Sequence, residues 1–305
     1  MSIKPEVSIV IPTYNHALYL GRALQSVLDQ TYTSWEAIVI DNYSTDNTDE
    51  VMETFSDPRI KYLKIHNNQV IAVSRNEGIR ASKGEWIAFL DSDDWWSTDK
   101  LQLCFERIHG EVDLVYHSMF IITDKPRYLK RKTIKSWQVK KPVIIDLIIN
   151  GNALATSSVV VRSKLLKQIN GMNEDKSIVA AEDYNTWLKI AQLTNNFVYI
   201  PKQLGFYRLN SQGVSSLKDM SEPTLAAVSE FICLLTSQDK SKLVSKITYT
   251  KGRFLYLAGN YQDAKYNLLK SMRQSKIGIK IKIIWMLILM TVFKNRLQKL
   301  EQIHK

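Results

Sequence analysis

What most narrows the fold of this chain is an alternation, over residues 1–116, between short β-branched runs and apolar stretches at helical spacing. Residues 6–11 (EVSIVI) make a buried-strand pattern closed by Pro12. Residues 18–28 then place Leu18, Ala23, Leu24, Val27 and Leu28 on one helical face. The unit recurs as strand 37–40 ending at Asp41, with cap residues at 44–46 and a helix to about 55. Strand 60–65 precedes helix 71–81, strand 85–90 precedes helix 97–108, and a fifth strand follows at 112–116. Strand-then-helix units of this length predict an α/β fold with a mostly parallel, doubly wound sheet flanked by helices. Such sheets bind ligands beyond the carboxyl ends of their strands, near a reversal of strand order. Thr13, Tyr14 and Asn15 follow the first strand, Asp41 the second, and Asp91-Ser92-Asp93-Asp94 the fourth, so one cleft collects them.

The acidic turn sets the chemistry. Asp91-x-Asp93 places two carboxylates at a rim, where a hard divalent cation would be held together with waters and a diphosphate. The same turn also serves as a cap for the helix beginning at Ser97, and an isolated pair does not separate the two roles. No G-x-G-x-x-G follows the first strand and no G-x-x-x-x-G-K-[ST] occurs anywhere, which disfavours dinucleotide and P-loop modes. Carboxylates facing phosphates need a cation between them.

Seven segments in register carry a resemblance. They are Val10-Ile11-Pro12-Thr13-Tyr14-Asn15, Asp41-Asn42-Tyr43-Ser44-Thr45-Asp46, Ser74-Arg75-Asn76-x-Gly78, Leu90-Asp91-Ser92-Asp93-Asp94, Gly171-Met172-Asn173-Glu174, Glu182-Asp183-Tyr184-Asn185-x-Trp187-Leu188 and Tyr207-Arg208-x-Asn210. Together they resemble the family 2 glycosyltransferases over roughly residues 5–216. The resemblance implies a GT-A-type fold and inverting transfer of one sugar from a nucleotide diphosphate, by default a UDP-hexose or UDP-N-acetylhexosamine. It places Thr13, Tyr14, Asp41, Ser44, Arg75, Asn76, Asp91 and Ser92 about the nucleotide. Asp93, with Asp91, becomes the ligand set for Mn2+ or Mg2+, and Asp183 the general base. Glu182 and Asp183 are adjacent at a helix start and point about 100° apart, so only one faces the acceptor. Asp183 is that residue, with Trp187 one turn later as an acceptor platform; a helix-capping role for Asp183 is the alternative. The sequence departs from the family at Asn42 and Tyr43, where an Asp and a Gly are frequent, at Val70, where Gly is common, and at Asn210, where His is frequent. The Q-x-x-R-W motif of processive synthases is absent, which implies single addition.

Charge divides the chain. The formal net charge of +11 is uneven: residues 1–120 hold 10 Lys and Arg against 18 Asp and Glu, and residues 240–305 hold 15 against 2. A catalytic domain over 1–216, with an acidic nucleotide-sugar half at 1–116 and an acceptor half at 117–216, is thus expected to precede a basic helical region at 217–305. Residues 125–141 carry eight basic side chains and no acid, which fits either a solvated loop or a contact to an anionic acceptor or lipid. Residues 256–269 resemble one tetratricopeptide helical hairpin, and a single copy does not make a solenoid. Residues 277–293 are the most apolar stretch, yet their uncharged part, 283–293, is only 11 residues long, against about 20 needed to span a bilayer. Interfacial docking and burial in a helical hairpin both fit.

The leading expectation is a glycosyltransferase building a surface glycan on an acceptor linked to a polyprenyl diphosphate. It would work in the cytoplasm, peripheral on the inner membrane face, through an anionic-surface contact of the basic region. Two free cysteines far apart and a short apolar start without a leader pattern set the compartment. A nucleotidyltransferase on a similar sheet would need a Gly/Lys-rich phosphate loop, which is missing. A nucleic-acid module would need basic and aromatic residues interleaved on one element, and the tail has charge but little such interleaving, behind an acidic front half.

Overall fold

A computed structural model describes residues 4–123, 132–134, 136–209 and 219–303, with side chains described to 291. Residues 125–131 and 135 of the basic run lie outside the described residues, as does Asn210. The chain forms two compact units, Met1–Ser216 and Leu217–Lys305.

The first unit opens as β1 (Val7–Thr13), α1 (Ala17–Leu28), β2 (Trp35–Asp41), α2 (Thr48–Glu53), β3 (Ile60–Lys64), α3 (Ile71–Ala81) and β4 (Trp86–Phe89). These four strands run in the order β3-β2-β1-β4, all parallel, with Thr13 level with Asp41. Both faces of the sheet are covered, which explains the nearly unbroken apolar strands. Val7, Ile9 and Ile11 point with Trp35, Ala37 and Val39 into a core shared with Leu20, Leu24 and Val27 of α1. Val10 points the other way onto α3, where a Cβ on Gly78 would lie 2.4 Å from its methyl. The α3 backbone can approach the sheet that closely because residue 78 has no side chain.

The strands then change direction. β5 (Trp95–Trp96), α4 (Lys100–Phe105), β6 (Leu114–Ile122), β7 (Thr133–Ile134), α5 (Val143–Asn150), β8 (Val160–Arg162), α6 (Ser163–Gln168), α7 (Glu182–Leu193) and β9 (Phe197–Arg208) complete the unit. β8 pairs antiparallel with both β4 and β6, β6 and β9 are parallel, and β5 closes the path antiparallel to β9. The helix expected at 97–108 is shorter, as α4, and Trp95 and Trp96 ahead of it join the sheet opposite Phe206 and Gly205. The strand expected at 112–116 runs on to Ile122, so the expected division between a first half ending at 116 and a second beginning at 117 falls inside one strand. The two halves share β6 and are not separable bodies.

The second unit contains α8 (Ser221–Val228), α9 (Ser237–Leu257), α10 (Tyr261–Ser271) and α11 (Ile277–Ile303). α9 and α10 turn at Gly259, whose φ of 81° suits glycine. Ala264, Leu268, Ile283 and Met290 form the buried centre of this unit.

Candidate active site

The carboxyl ends of β1, β2 and β4 collect polar side chains as the strand order requires. Asp41 is fully buried, and both its oxygens accept from the Ser44 amide while Oδ2 also accepts from the Tyr62 hydroxyl at 3.1 Å. The Ser44 hydroxyl donates to Asp41 and accepts from the Asn15 amide at 2.8 Å, tying the β2 turn to the β1 turn. Tyr14 is half exposed at the rim, whereas the Thr13 hydroxyl is buried with no hydrogen-bond partner among the described residues. Tyr43 stands in left-handed backbone, φ 50°, and stacks on His66 with ring centres 4.1 Å apart. The family's frequent glycine at this position suits that conformation, and this chain fills it with an aromatic face instead.

Residues 91–94 form a tight acidic turn, Asp94 N donating to Asp91 O. The Ser157 hydroxyl accepts from the Asp91 amide at 3.0 Å and donates to Asp94 Oδ2 at 2.6 Å; Asp94 Oδ1 takes the Arg208 amide at 3.0 Å. Asp94 is therefore a buried brace, and burial, with the charges of Asp91 and Asp93, pushes its carboxyl well up. Asp93 differs. No side chain among the described residues hydrogen-bonds or ion-pairs with it, and burial and then Asp91 push its carboxyl up. It faces a cavity of about 390 Å³ lined by Leu18, Tyr19, Arg22, Trp95 and Arg208. Ser92 is buried, and its hydroxyl meets His16 Nδ1 at 2.8 Å.

Arg75 joins the two sides of the cleft. Its guanidinium donates to Asp91 at 2.7 Å and to Glu182 at 2.6 Å, and it is 3% exposed. Burial opposes the charge, but the two carboxylates outweigh it and push the guanidinium up. Glu182 is thus the counter-ion of Arg75 and, being buried, is not an acceptor contact. Asp183, the next residue, accepts from Thr156 Oγ1 at 3.0 Å, from Asn152 Nδ2 at 3.2 Å and from the Tyr184 amide at 2.6 Å. Burial and the adjacent Glu182 charge push its carboxyl up to about 6. A carboxylate so placed is a better proton acceptor than an exposed one and is still ionised at neutral pH.

Two further expectations need correction. Trp187 is fully buried, edge-on to Phe89 with ring centres 6.1 Å apart, so it offers no face to an acceptor. Asn76 is also buried, and its amide grips the 171–174 turn. Oδ1 accepts from Met172 N at 2.7 Å, while Nδ2 donates to Met172 O and Glu174 Oε1, each at 2.8 Å. Asn76 positions a loop, and its amide is already engaged there. Sequence reasoning passed over His16, Thr156 and Ser157. His16 directly follows the Thr13-Tyr14-Asn15 motif, but no local signal marks the other two, whose partners lie 27 to 66 residues away.

The carboxylates fit a divalent cation in one way only. Among the described residues no group of three or more His, Cys, Asp and Glu side chains converges. Asp93 alone is unpartnered and Asp91 is shared with Arg75, so a cation here would rely on waters and phosphate oxygens for its other positions, as Mg2+ commonly does.

Known proteins place this geometry. The model for glycosyl transferase family 2 matches residues 8–168. A Bacillus subtilis glycosyltransferase named for teichuronic acid biosynthesis, TuaG, is 41% identical over 101 residues, 32% of this chain and 40% of that protein. The Escherichia coli UDP-Glc:alpha-D-GlcNAc-diphosphoundecaprenol beta-1,3-glucosyltransferase WfgD is 31% identical over 217 residues, 70% of this chain and 80% of WfgD. Among solved structures, S. aureus TarS 1–349 in complex with UDP-GlcNAc superposes with a TM-score of 0.62 at 19% identity, covering 90% of this chain and 82% of that one.

Proposed function

Since the chain belongs to glycosyl transferase family 2, we propose that it moves one hexose or N-acetylhexosamine from a UDP-sugar to a lipid-linked glycan acceptor, with inversion and with a divalent cation. The observation that carries this reading is the Arg75 bridge. One buried guanidinium ties the donor-side carboxylate Asp91 to Glu182, the neighbour of the base candidate Asp183. The bridge supports a leaving group on the Asp91 side and a proton acceptor on the Asp183 side of the cleft.

In the proposed reaction the base stacks at Tyr14 beside Asp41, and Asp91 faces the ribose. Asp93 and Asp91 would hold Mn2+ or Mg2+, which when bound neutralises the departing diphosphate. The acceptor oxygen attacks the anomeric carbon as the bond from that carbon to the diphosphate oxygen breaks, and the acceptor proton passes to the Asp183 carboxylate. Thr156 and Asn152 orient that carboxylate through hydrogen bonds to Oδ2. The UDP donor is supported by the donor named for WfgD, and the lipid-diphosphate acceptor by WfgD's named substrate. A membrane-linked acceptor calls for work at the cytoplasmic face of the membrane. No helix among the described residues is long and apolar enough to cross a bilayer. Residues 264–300 hold nine Lys and Arg and no acid, which supports peripheral contact with an anionic surface.

Calorimetry with UDP, GDP and dTDP, with and without Mn2+, tests the donor side. UDP should bind only with the cation, and Asp93→Ala should lose that binding while Asp183→Asn keeps it and loses transfer. Metal-independent binding, or binding unchanged in Asp93→Ala, overturns the assignment.

A further inference from the structure

α11 is apolar on both sides, and only one side is covered. Ile283 and Met290 are buried, with Ile279, Met286 and Leu287 packed beside them against residues of α9 and α10. The opposite side leaves Ile277 80%, Ile281 52%, Ile284 45%, Trp285 61%, Ile288 47% and Leu289 39% exposed. With about 100° per residue, these six fall within an arc of roughly 140°, facing away from the packed set. A helix apolar all round belongs where both faces are covered, and one that is half bare lacks a partner.

Charge says what the partner is. Lys280 and Lys282 fall on the two seams between the packed and the bare faces, and no acidic residue occurs anywhere from 264 to 300. A second copy of this helix would bring like charges together along both seams. An anionic bilayer meets them with opposite charge, and the long lysine stems let the ammonium groups reach the headgroups while the apolar side chains enter below them. The uncharged stretch of α11, residues 283–293, spans only about 16 Å at 1.5 Å per residue, short of the roughly 30 Å hydrocarbon core, so the helix is placed along the interface and not across it.

We propose that α11 is an interfacial docking helix that inserts Ile277, Ile281, Ile284, Trp285 and Ile288 into an anionic lipid surface, with Lys280 and Lys282 at headgroup level. This rests on the reading that the basic C-terminal region meets the membrane, and it adds that the contact is an inserted apolar face and not charge alone.

The test is co-sedimentation of the full chain with vesicles of phosphatidylcholine alone and with roughly one third phosphatidylglycerol, at low and high salt. The wild type should bind the anionic vesicles and retain part of that binding at high salt. Ile284→Ser/Ile288→Ser should lose binding by about tenfold or more in both salts, since each lost apolar group weakens partition. Lys280→Gln/Lys282→Gln should lose binding mainly at low salt. Trp285 is the one tryptophan after residue 187, so the fluorescence difference between wild type and Trp285→Phe isolates it. Brominated lipid should quench that difference signal. UDP affinity and the circular-dichroism melt of each variant show that the fold is intact. Fully salt-reversible binding that Ile284→Ser/Ile288→Ser leaves unchanged would overturn insertion while leaving the electrostatic contact standing. Binding to no vesicle sinks both. A wild-type dimer in light scattering that becomes monomeric in Ile284→Ser/Ile288→Ser, with no vesicle binding, assigns the face to a second copy and also overturns the proposal.

Discussion

Replacing Arg75 with methionine isolates the electrostatic keystone of the cleft. Methionine matches the stem but withdraws the charge from two carboxylates of unequal burial: Glu182 is 7% exposed and Asp91 26%. Removing one partner of a buried pair typically costs about 3–5 kcal/mol, because the remaining ion has neither water nor counter-ion. Asp91 can regain water, so its share is about 1 kcal/mol or less. Arg75→Met should therefore lose about 4 kcal/mol at neutral pH, most of it through Glu182. Arg75→Met/Glu182→Gln should recover roughly 2 kcal/mol of that, because the stranded charge is gone. Equilibrium urea unfolding followed by tryptophan fluorescence reads the difference, since six of the seven tryptophans lie in residues 1–216. A loss under about 1 kcal/mol for Arg75→Met, or a double variant no more stable than the single one, would show that Arg75 does not neutralise Glu182.

Four other outcomes follow from the site. Asp183→Asn should lower kcat by about a hundredfold or more; in the wild type, kcat/KM should climb as pH rises through about 6, where the carboxyl ionises, and then level. Glu182→Gln removes a charge that pushes Asp183 up, so that acid limb should move to lower pH; a limb that stays put refutes the coupling. Gly171→Ala meets both a φ of 79° and a Cβ 2.4 Å from Asn76 Oδ1, and should cost about 2–4 kcal/mol in thermal or urea unfolding. Ser157→Ala unbraces the acidic turn at both ends, so UDP affinity in the presence of Mn2+ should fall about tenfold, with about 1–2 kcal/mol lost in stability.

The first four strands and their helices were legible because each is specified locally. Helix 71–81 falls on the bounds its pattern gives, and β3 begins at the expected Ile60. Local pattern could not reveal β5, two tryptophans whose partners, Gly205 and Phe206, are more than a hundred residues on. Nor could it reveal which way a helical face turns. Trp187 lies one turn on from Asp183 by spacing, but its packing on Phe89 puts its ring in the core. The site was legible as a list of residues and not as a set of bonds. Arg75 and Glu182 are separated by 107 positions, and neither Asn76 nor Ser92 carries in its immediate neighbourhood any sign that its polar atoms are already engaged.

The unbroken run of β6 across residues 116 and 117 has a bearing on how enzymes of this build can diversify. A recombination point placed there would sever a strand that holds β8 on one edge and β9 on the other. The Asn76 grip on the turn at 171–174 would be cut in the same exchange. A chimera joined there would set residues 114–116 of one parent against β8 and β9 of the other.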